Sequence, residues 1–199
     1  MEGIFLSAIN IYPVKSAKGI SLNSWRIGER GLDLDRRWMV VDNQNRFLTQ
    51  RQLPQLALIS VSLDKEALGF EAPGMQRISV PLRASPRTFI EVQVWDDLVQ
   101  ASPLGDEISD WLSEYLSMTT KLVFMPDQSR RYVESQYSKN GNHYGFADAF
   151  PFLILSEASL QELNRRLEIP LPMNRFRPSL VLSNCEPFAE DTWKKIRIG

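Results

Sequence analysis

Apolar and polar residues alternate in short runs through the first hundred positions, and each run ends at a turn former. Ile4–Tyr12 is rich in strand formers and stops at Pro13. Arg37–Asp42 predicts a second strand, Asn43-Gln44-Asn45 a turn, and Arg46–Thr49 a hairpin partner. Leu56–Leu63 begins as an apolar run and then alternates; Phe89–Trp95 alternates cleanly, and Asp96-Asp97 leads into Leu98–Ala101. Many short strands at even spacing predict a sandwich or barrel.

Helical periodicity is rare. Asp106 is placed to cap a helix with Ile108, Trp111, Leu112, Tyr115 and Leu116 on one face, and Ser156 to cap another with Leu160, Leu163 and Leu167 aligned. Lys121–Met125 between them reads as a strand, and Phe152–Leu155 and Leu180–Leu182 as buried strands. Gln128–Gly145, with Arg130, Arg131, Lys139, Asn140, Gly141 and Asn142, is polar and reads as a long loop. Ile196–Gly199 looks like a strand with no partner after it. The class is mainly β (α+β) with few helices, and the division falls near the first helix, giving domains 1–120 and 121–199. There is no internal repeat.

Composition narrows the function classes. A chain of 199 residues builds one or two domains and buries a large core without covalent staples. A net charge of −1 argues against a general nucleic-acid binder. The single cysteine, Cys185, has no internal disulfide partner, and with one histidine, His143, no zinc site of the Cys/His type is available. A Cys185–His143 pair is arithmetically open but has no local support, and His143 reads as a surface residue rather than a base. Glu2 near the start argues against a secretory signal, and no apolar run approaches about 18 residues. A cytoplasmic protein without a membrane partner is expected.

Five segments have the chemistry of a site. Tyr12-Pro13-Val14-Lys15-Ser16 places a lysine and a hydroxyl at a strand end, which suits a phosphate; a solvated loop is the bland alternative. Asp35-Arg36-Arg37-Trp38 sends one arginine to each face, either toward an anion or into a structural pair with Asp33 or Asp35. Thr49-Gln50-Arg51-Gln52 is polar but is by itself a turn. Met173-Asn174-Arg175-Phe176-Arg177-Pro178 offers an amide for a heterocycle edge, and on an extended strand its two arginines share a face and grip one oxyanion group; a solvated surface strand is the alternative. Phe152–Ser156 runs into a helix N-terminus, which suits an anion or serves ordinary capping. No general acid/base pair, P-loop or dinucleotide fingerprint is present.

Six segments in order resemble the MOSC superfamily in its two-part form: Tyr12–Ser16, Asp35–Trp38, Thr49–Gln52, Pro151–Ser159, Asn174–Pro178 and Ala189–Trp193. The relatives this implies are the mitochondrial amidoxime-reducing component and its bacterial homologues. The implied fold is an N-terminal β-barrel-like domain followed by a partial MOSC β-barrel. The implied ligand is the molybdenum cofactor (molybdopterin), whose pterin ends in a phosphate. By match to the family motifs, Lys15, Ser16, Arg36 and Arg51 contact it from the first part, and Ser156, Asn174, Arg175 and Arg177 from the second. No catalytic residue and no metal ligand is assigned.

The same resemblance implies a small N-hydroxylated substrate. It also implies electrons from a separate or appended redox protein of iron–sulfur, flavin or cytochrome b5 type. Two departures stand out. Ser179 replaces the asparagine common after the Arg-Pro pair. The family's molybdenum-ligating cysteine falls beyond Gly199, and Cys185 matches a different cysteine. On this reading the chain is a portion of the enzyme, inactive alone, with the cofactor not held through its metal. The alternatives are a cofactor-handling domain similar to the C-terminal part of molybdenum cofactor sulfurase, or a non-catalytic module for a phosphorylated ligand. Pyridoxal phosphate binding goes with the sulfurase reading, through an attached desulfurase domain, and Met1 starting directly at the barrel argues against that reading.

Overall fold

The computed structural model describes residues 3–82, 88–138 and 140–198. Met1, Glu2, Lys139 and Gly199, which enter the sequence reading above, lie outside the described residues. The fold is mostly strands with two α-helices among the described residues, as the pattern predicts. The chain forms two compact units interleaved along the sequence. One gathers the described parts of Met1–Asn10, Ser21–Arg26 and Phe152–Gly199; the other holds Ile11–Ile20 and Ile27–Pro151.

The larger unit is built on a four-stranded antiparallel sheet. Its strands are β5 (Trp38–Asp42), β11 (Thr120–Phe124), β10 (Asp97–Pro103) and β9 (Ile90–Val94), in that order. Arg46–Thr49 does not form a full hairpin strand. It contributes only two bridges, Phe47 to Val41 of β5 and Arg46 to Gln93 of β9. Those bridges bring the sheet back to its first strand, with Phe47 N donating to Gln93 O and Leu48 N to Val40 O at 3.0 Å each. Alternate residues fill the inside of this small closed sheet: Met39 and Val41, Val92 and Val94, Val99 and Ala101, Val123 and Met125, with Phe146 inserted from the loop. The opposite faces of β5 and β11, through Trp38, Val40 and Leu122, enter a second cluster. That cluster contains Ile108, Trp111, Leu112 and Leu116 of α1 (Asp106–Leu116). It also contains Val61, Leu68, Phe70 and Val80 of the meander β6 (Ser60–Leu63), β7 (Ala67–Glu71) and β8 (Ile78–Pro81). The arginine-led strand is therefore buried on both sides.

Several sequence expectations are corrected here. Leu56–Leu58 belongs to a 3-10 turn started by Pro54, and only Ser60–Leu63 is strand. Asp106 is the first helical residue of α1; the N-cap is Gly105, at φ 103, where a side chain is strained. The loop 128–145 contains a short ladder, β12 (Arg131–Tyr132) with β13 (His143–Tyr144). A further two-residue pairing joins β3 (Ile27–Gly28) to β4 (Gly31–Leu32). His143 is not a surface residue: its side chain is 13% exposed, and burial, with Arg30 and Arg130 nearby, holds its pKa below the ordinary value.

The smaller unit is a four-stranded sheet in the order β14 (Ile154–Ser156), β15 (Leu180–Ser183), β1 (Phe5–Ile11) and β2 (Ile20–Leu22). β15 runs parallel to β14 and antiparallel to β1, and all four of its residues are buried. α2 (Glu157–Asn164) follows β14. It ends before Leu167, so the expected three-leucine face is only two residues long, and Ser159 is its one buried residue. Ile196–Ile198 forms no strand.

Candidate functional site

Three of the segments read from sequence meet in the larger unit, joined there by the stretch Gly145–Asp148, and backbone hydrogen bonds bring them together. Arg36 N donates to Tyr12 O, Trp38 N to Pro13 O, and Lys15 N to Trp38 O, so Tyr12–Lys15 runs along Arg36–Trp38. The buried Asp35 carboxylate accepts from Tyr12 N at 2.6 Å and pairs with the Arg36 guanidinium. Arg36 lies over the Tyr12 ring, 4.3 Å from its centroid. The structural pairing considered for these residues is thus present for Arg36. Arg37 goes elsewhere, donating to Met125 O and pairing with Asp127.

Gln50 Nε2 donates to Ser16 O at 2.7 Å and Ser16 Oγ to Leu48 O at 3.3 Å. These bonds attach the Thr49–Gln52 turn to the lysine-serine pair. The last partner is the stretch Gly145–Asp148. A Cβ on Gly145 would lie 2.5 Å from Arg36 O, so only glycine allows this approach. Phe146 N then donates to Arg36 O at 2.6 Å. Arg131, 3% exposed, fastens the stretch by donating to Gly145 O at 3.0 Å and Ala147 O at 2.7 Å, while pairing with Asp97.

Lys15 sits at the centre. Its Nζ donates to Phe146 O at 2.8 Å and to Asp148 Oδ1 at 2.6 Å, and lies 5.3 Å from the Phe47 ring centroid and 6.0 Å from that of Trp95. The lysine side chain is 7% exposed and that of Asp148 73%. Burial pulls the Lys15 pKa down to about 8, with Asp148 opposing and Arg131 and Arg36 assisting. Burial alone would raise the Asp148 carboxyl, but the charge and hydrogen bond of Lys15, and the Trp95 N–H, hold it below its ordinary value. Arg51 is exposed, with its guanidinium 5.4 Å from the Trp95 ring centroid.

Three residues of this group hold a left-handed backbone without being glycine: Ser16 at φ 71, Arg36 at φ 49 and Trp95 at φ 53. Such conformations cost about 1–3 kcal/mol each and gather where a side chain must be aimed. Trp95 is the extreme case, a bulky aromatic in the two-residue turn between β9 and β10. The group therefore offers converging cations, one carboxylate and aromatic surface. That donor set fits a phosphate attached to a planar heterocycle. It does not fit a metal ion: among the described residues no cluster of three His, Cys, Asp or Glu side chains is placed to hold one.

The sequence reading did not single out Asp148, Trp95, Phe47 or Arg131. Trp95 carries a signal in hindsight, since it stands where a hairpin turn calls for Gly or Asn.

The remaining segments lie in the smaller unit. Ser156 is fully buried and caps α2, its Oγ accepting from Ser159 N at 3.0 Å, while Ser156 N donates to Glu190 Oε1 at 2.8 Å. The anion at this helix start is the protein's own carboxylate. Burial raises the Glu190 carboxyl, but hydrogen bonds from Ser159 and Ser156 bring it below its ordinary value. Asn174 and Arg175 are exposed and fall in the 3-10 turn Met173–Arg175. Arg177 follows at φ 58. The expected extended strand with two arginines on one face is absent, because Arg175 ends a 3-10 turn and Arg177 is left-handed. Asn164 positions the approach, its side chain bonding Leu171 N and O at 2.8 and 2.9 Å. Asn10 holds the exit, donating to Ser179 O from its backbone and to Pro178 O from its amide. Cys185, partly buried, is a free thiol just after β15.

Comparisons with known proteins agree with this pattern. The family model described as the MOSC N-terminal beta barrel domain matches residues 4–119, and that of the MOSC domain matches residues 141–199. Mitochondrial amidoxime reducing component 2 of Rattus norvegicus is 34% identical over 206 residues, covering 98% of this chain and 61% of that protein. Mitochondrial amidoxime-reducing component 1 of Danio rerio is 33% identical over 198 residues, covering 95% of this chain and 61% of that protein. Molybdenum cofactor sulfurase of Oryza sativa subsp. japonica is 32% identical over 220 residues, covering all of this chain and 26% of that protein. The chain thus spans about three-fifths of the first two relatives and about a quarter of the third. No helix among the described residues is long and apolar enough to cross a membrane. Since the first match alone takes in more than half of the chain, and the ordered motifs lie within the two matched regions or beside them, the protein belongs to the MOSC family, with a MOSC N-terminal beta barrel domain and a MOSC domain.

Proposed function

We propose that the chain binds the molybdenum cofactor as part of a reductase of N-hydroxylated compounds, with the Lys15 group receiving the phosphate of the pterin. The observation that carries this reading is the buried Lys15 ammonium, which among the described residues has two of its three N–H bonds used and one ion-pair partner, an exposed carboxylate. Arg36 and Arg51 add positive charge beside it, and Trp95 adds a planar face. A phosphate takes charge-assisted hydrogen bonds from such cations. When bound, the cofactor supplies the two-electron redox chemistry; the chain's own residues bind its phosphate and orient its ring.

Asn174, Arg175 and Arg177 are included as further contacts on the strength of the family pattern alone. Ser156 contributes by holding α2, since its hydroxyl is occupied by the cap. The substrate class is taken from the names of the amidoxime-reducing relatives, and a separate or appended electron-transfer protein is proposed on the family resemblance alone.

Titration of the protein with molybdopterin, inorganic phosphate and nucleotides tests this reading. Molybdopterin is expected to bind most tightly, and Lys15→Met to lose most of that affinity with the fold intact. Binding that ignores Lys15, or that prefers nucleotides, overturns it. A cofactor-handling role like that of the sulfurase is the second reading, favoured by a match that takes in the whole chain. Transfer of bound cofactor to an acceptor apoenzyme, without reduction of a hydroxylamine, distinguishes it.

A further inference from the structure

We propose that Asp148, clamped by the Trp95 indole N–H, is a positioning residue that keeps the Lys15 ammonium charged and in place for an incoming phosphate. This deepens the cofactor-binding reading and rests on it for the identity of the anion, but not for the coupling itself.

Asp148 Oδ1 accepts from two donors at once, Lys15 Nζ at 2.6 Å and Trp95 Nε1 at 3.1 Å. The carboxylate is largely exposed, so without a second donor it would sample several rotamers. The indole N–H supplies that restraint. Trp95 is itself fixed, by its strained backbone and by the Phe47 ring, whose centroid is 4.9 Å away. From the other side Arg131 grips Gly145 O and Ala147 O and so sets the height of Asp148 above the lysine. Phe146, buried in the closed sheet, anchors the same stretch through its side chain.

The charges around Lys15 show why a fixed carboxylate matters. Arg131 and Arg36 both disfavour its protonated form, each partly offset by its own carboxylate, Asp97 and Asp35. Arg51 adds a cation on the Trp95 ring. Among the described residues, Asp148 is the group whose charge and hydrogen bond both favour the ammonium. Remove it, and burial among arginines drives Lys15 toward the neutral amine. A neutral lysine brings no charge to a phosphate. Burial thus makes Lys15 responsive, and Asp148 sets the pH up to which it stays a cation.

The test follows Lys15 directly in the ligand-free protein, by the NMR titration of its ε-CH2 group, in wild type, Asp148→Asn, Asp148→Glu and Trp95→Phe. Binding of inorganic phosphate is measured on the same samples from pH 6 to 9. Asp148→Asn is expected to lower the Lys15 midpoint by about one pH unit. Trp95→Phe should lower it less, and Asp148→Glu should restore it. The upper pH limit of phosphate binding should move with that midpoint. A Lys15 midpoint unchanged in a folded Asp148→Asn protein overturns the proposal, and so does an Asp148→Glu variant that behaves like Asn. A midpoint that moves while phosphate binding ignores Lys15 supports the coupling and overturns the functional reading instead. Because Asp148 is exposed, the fold should survive these changes; Trp95→Phe provides an independent second perturbation.

Discussion

Lys15 Nζ and Asp148 Oδ1 lie 2.6 Å apart across a boundary between protein interior and water, one side chain buried and the other open. The asymmetry has thermodynamic consequences that can be measured apart from any ligand.

The first concerns pH. Lys15 titrates at about 8 in the folded chain against an ordinary 10.5. Between those values the unfolded chain binds more protons, so the stability contribution of this group rises with pH across that window. Lys15→Met removes the slope. Urea unfolding at pH 7, 9 and 10.5 should show wild type gaining up to about 3 kcal/mol relative to the variant, at about 1.4 kcal/mol per pH unit. A constant difference across the range would contradict the burial assigned to the ammonium.

Gly145→Ala tests the close approach of the stretch that carries Phe146 and Asp148. The added Cβ would meet Arg36 O, a backbone atom that cannot swing aside. Overpacking of this kind costs about 1–3 kcal/mol. Loss of phosphate affinity should accompany the lower melting temperature, because the displaced backbone bears both acceptors of Lys15.

Much of this unit is legible from sequence, and the reasons differ by segment. The strand around Val92 follows from alternation, and those around Met39 and Val123 from continuous apolar runs, because these two are buried on both faces. Lys15, Ser16, Arg36 and Arg51 stand beside turn signals and in an ordered motif set. Arg131 is hidden in a polar loop, because a buried arginine satisfied by carbonyls has no local signature, and Asp148 lies just past that loop with no motif around it. Arg175 and Arg177 were misjudged because spacing implies a shared face only if the backbone is extended, and Arg177 is left-handed. The α2 start reads as an anion site, yet the anion was Glu190, 34 residues further on.

Glu190 provides a second pH prediction. Its folded-state pKa lies below the ordinary 4.5, so its contribution is present above that value and is lost as the pH falls through the folded one. Glu190→Gln should cost about 0.5–1 kcal/mol at pH 7, as for a charge at a helix N-terminus. The difference from wild type should vanish in acid melts.

Arg177 combines a guanidinium with a left-handed backbone, and two substitutions separate them. Arg177→Ala and Arg177→Gly should both weaken molybdopterin binding by about 1.5–3 kcal/mol, the range for a charge-assisted hydrogen bond. Only glycine adopts φ 58 freely, so Arg177→Gly should melt higher than Arg177→Ala. Equal affinity to wild type in either variant removes Arg177 from the site.

The interleaving of the two units has a consequence for biosynthesis. Phe5 pairs with Ser183 and Ile9 with Leu180, so β1 must wait for β15, which is made more than 150 residues later. At about 5–20 residues per second on the ribosome, that delay is on the order of ten to thirty seconds. Residues 27–151 can collapse during it, while β1 has β2 on one side and an open edge on the other. Slowed translation just before β15 should therefore lower the soluble yield more than the same delay before β1.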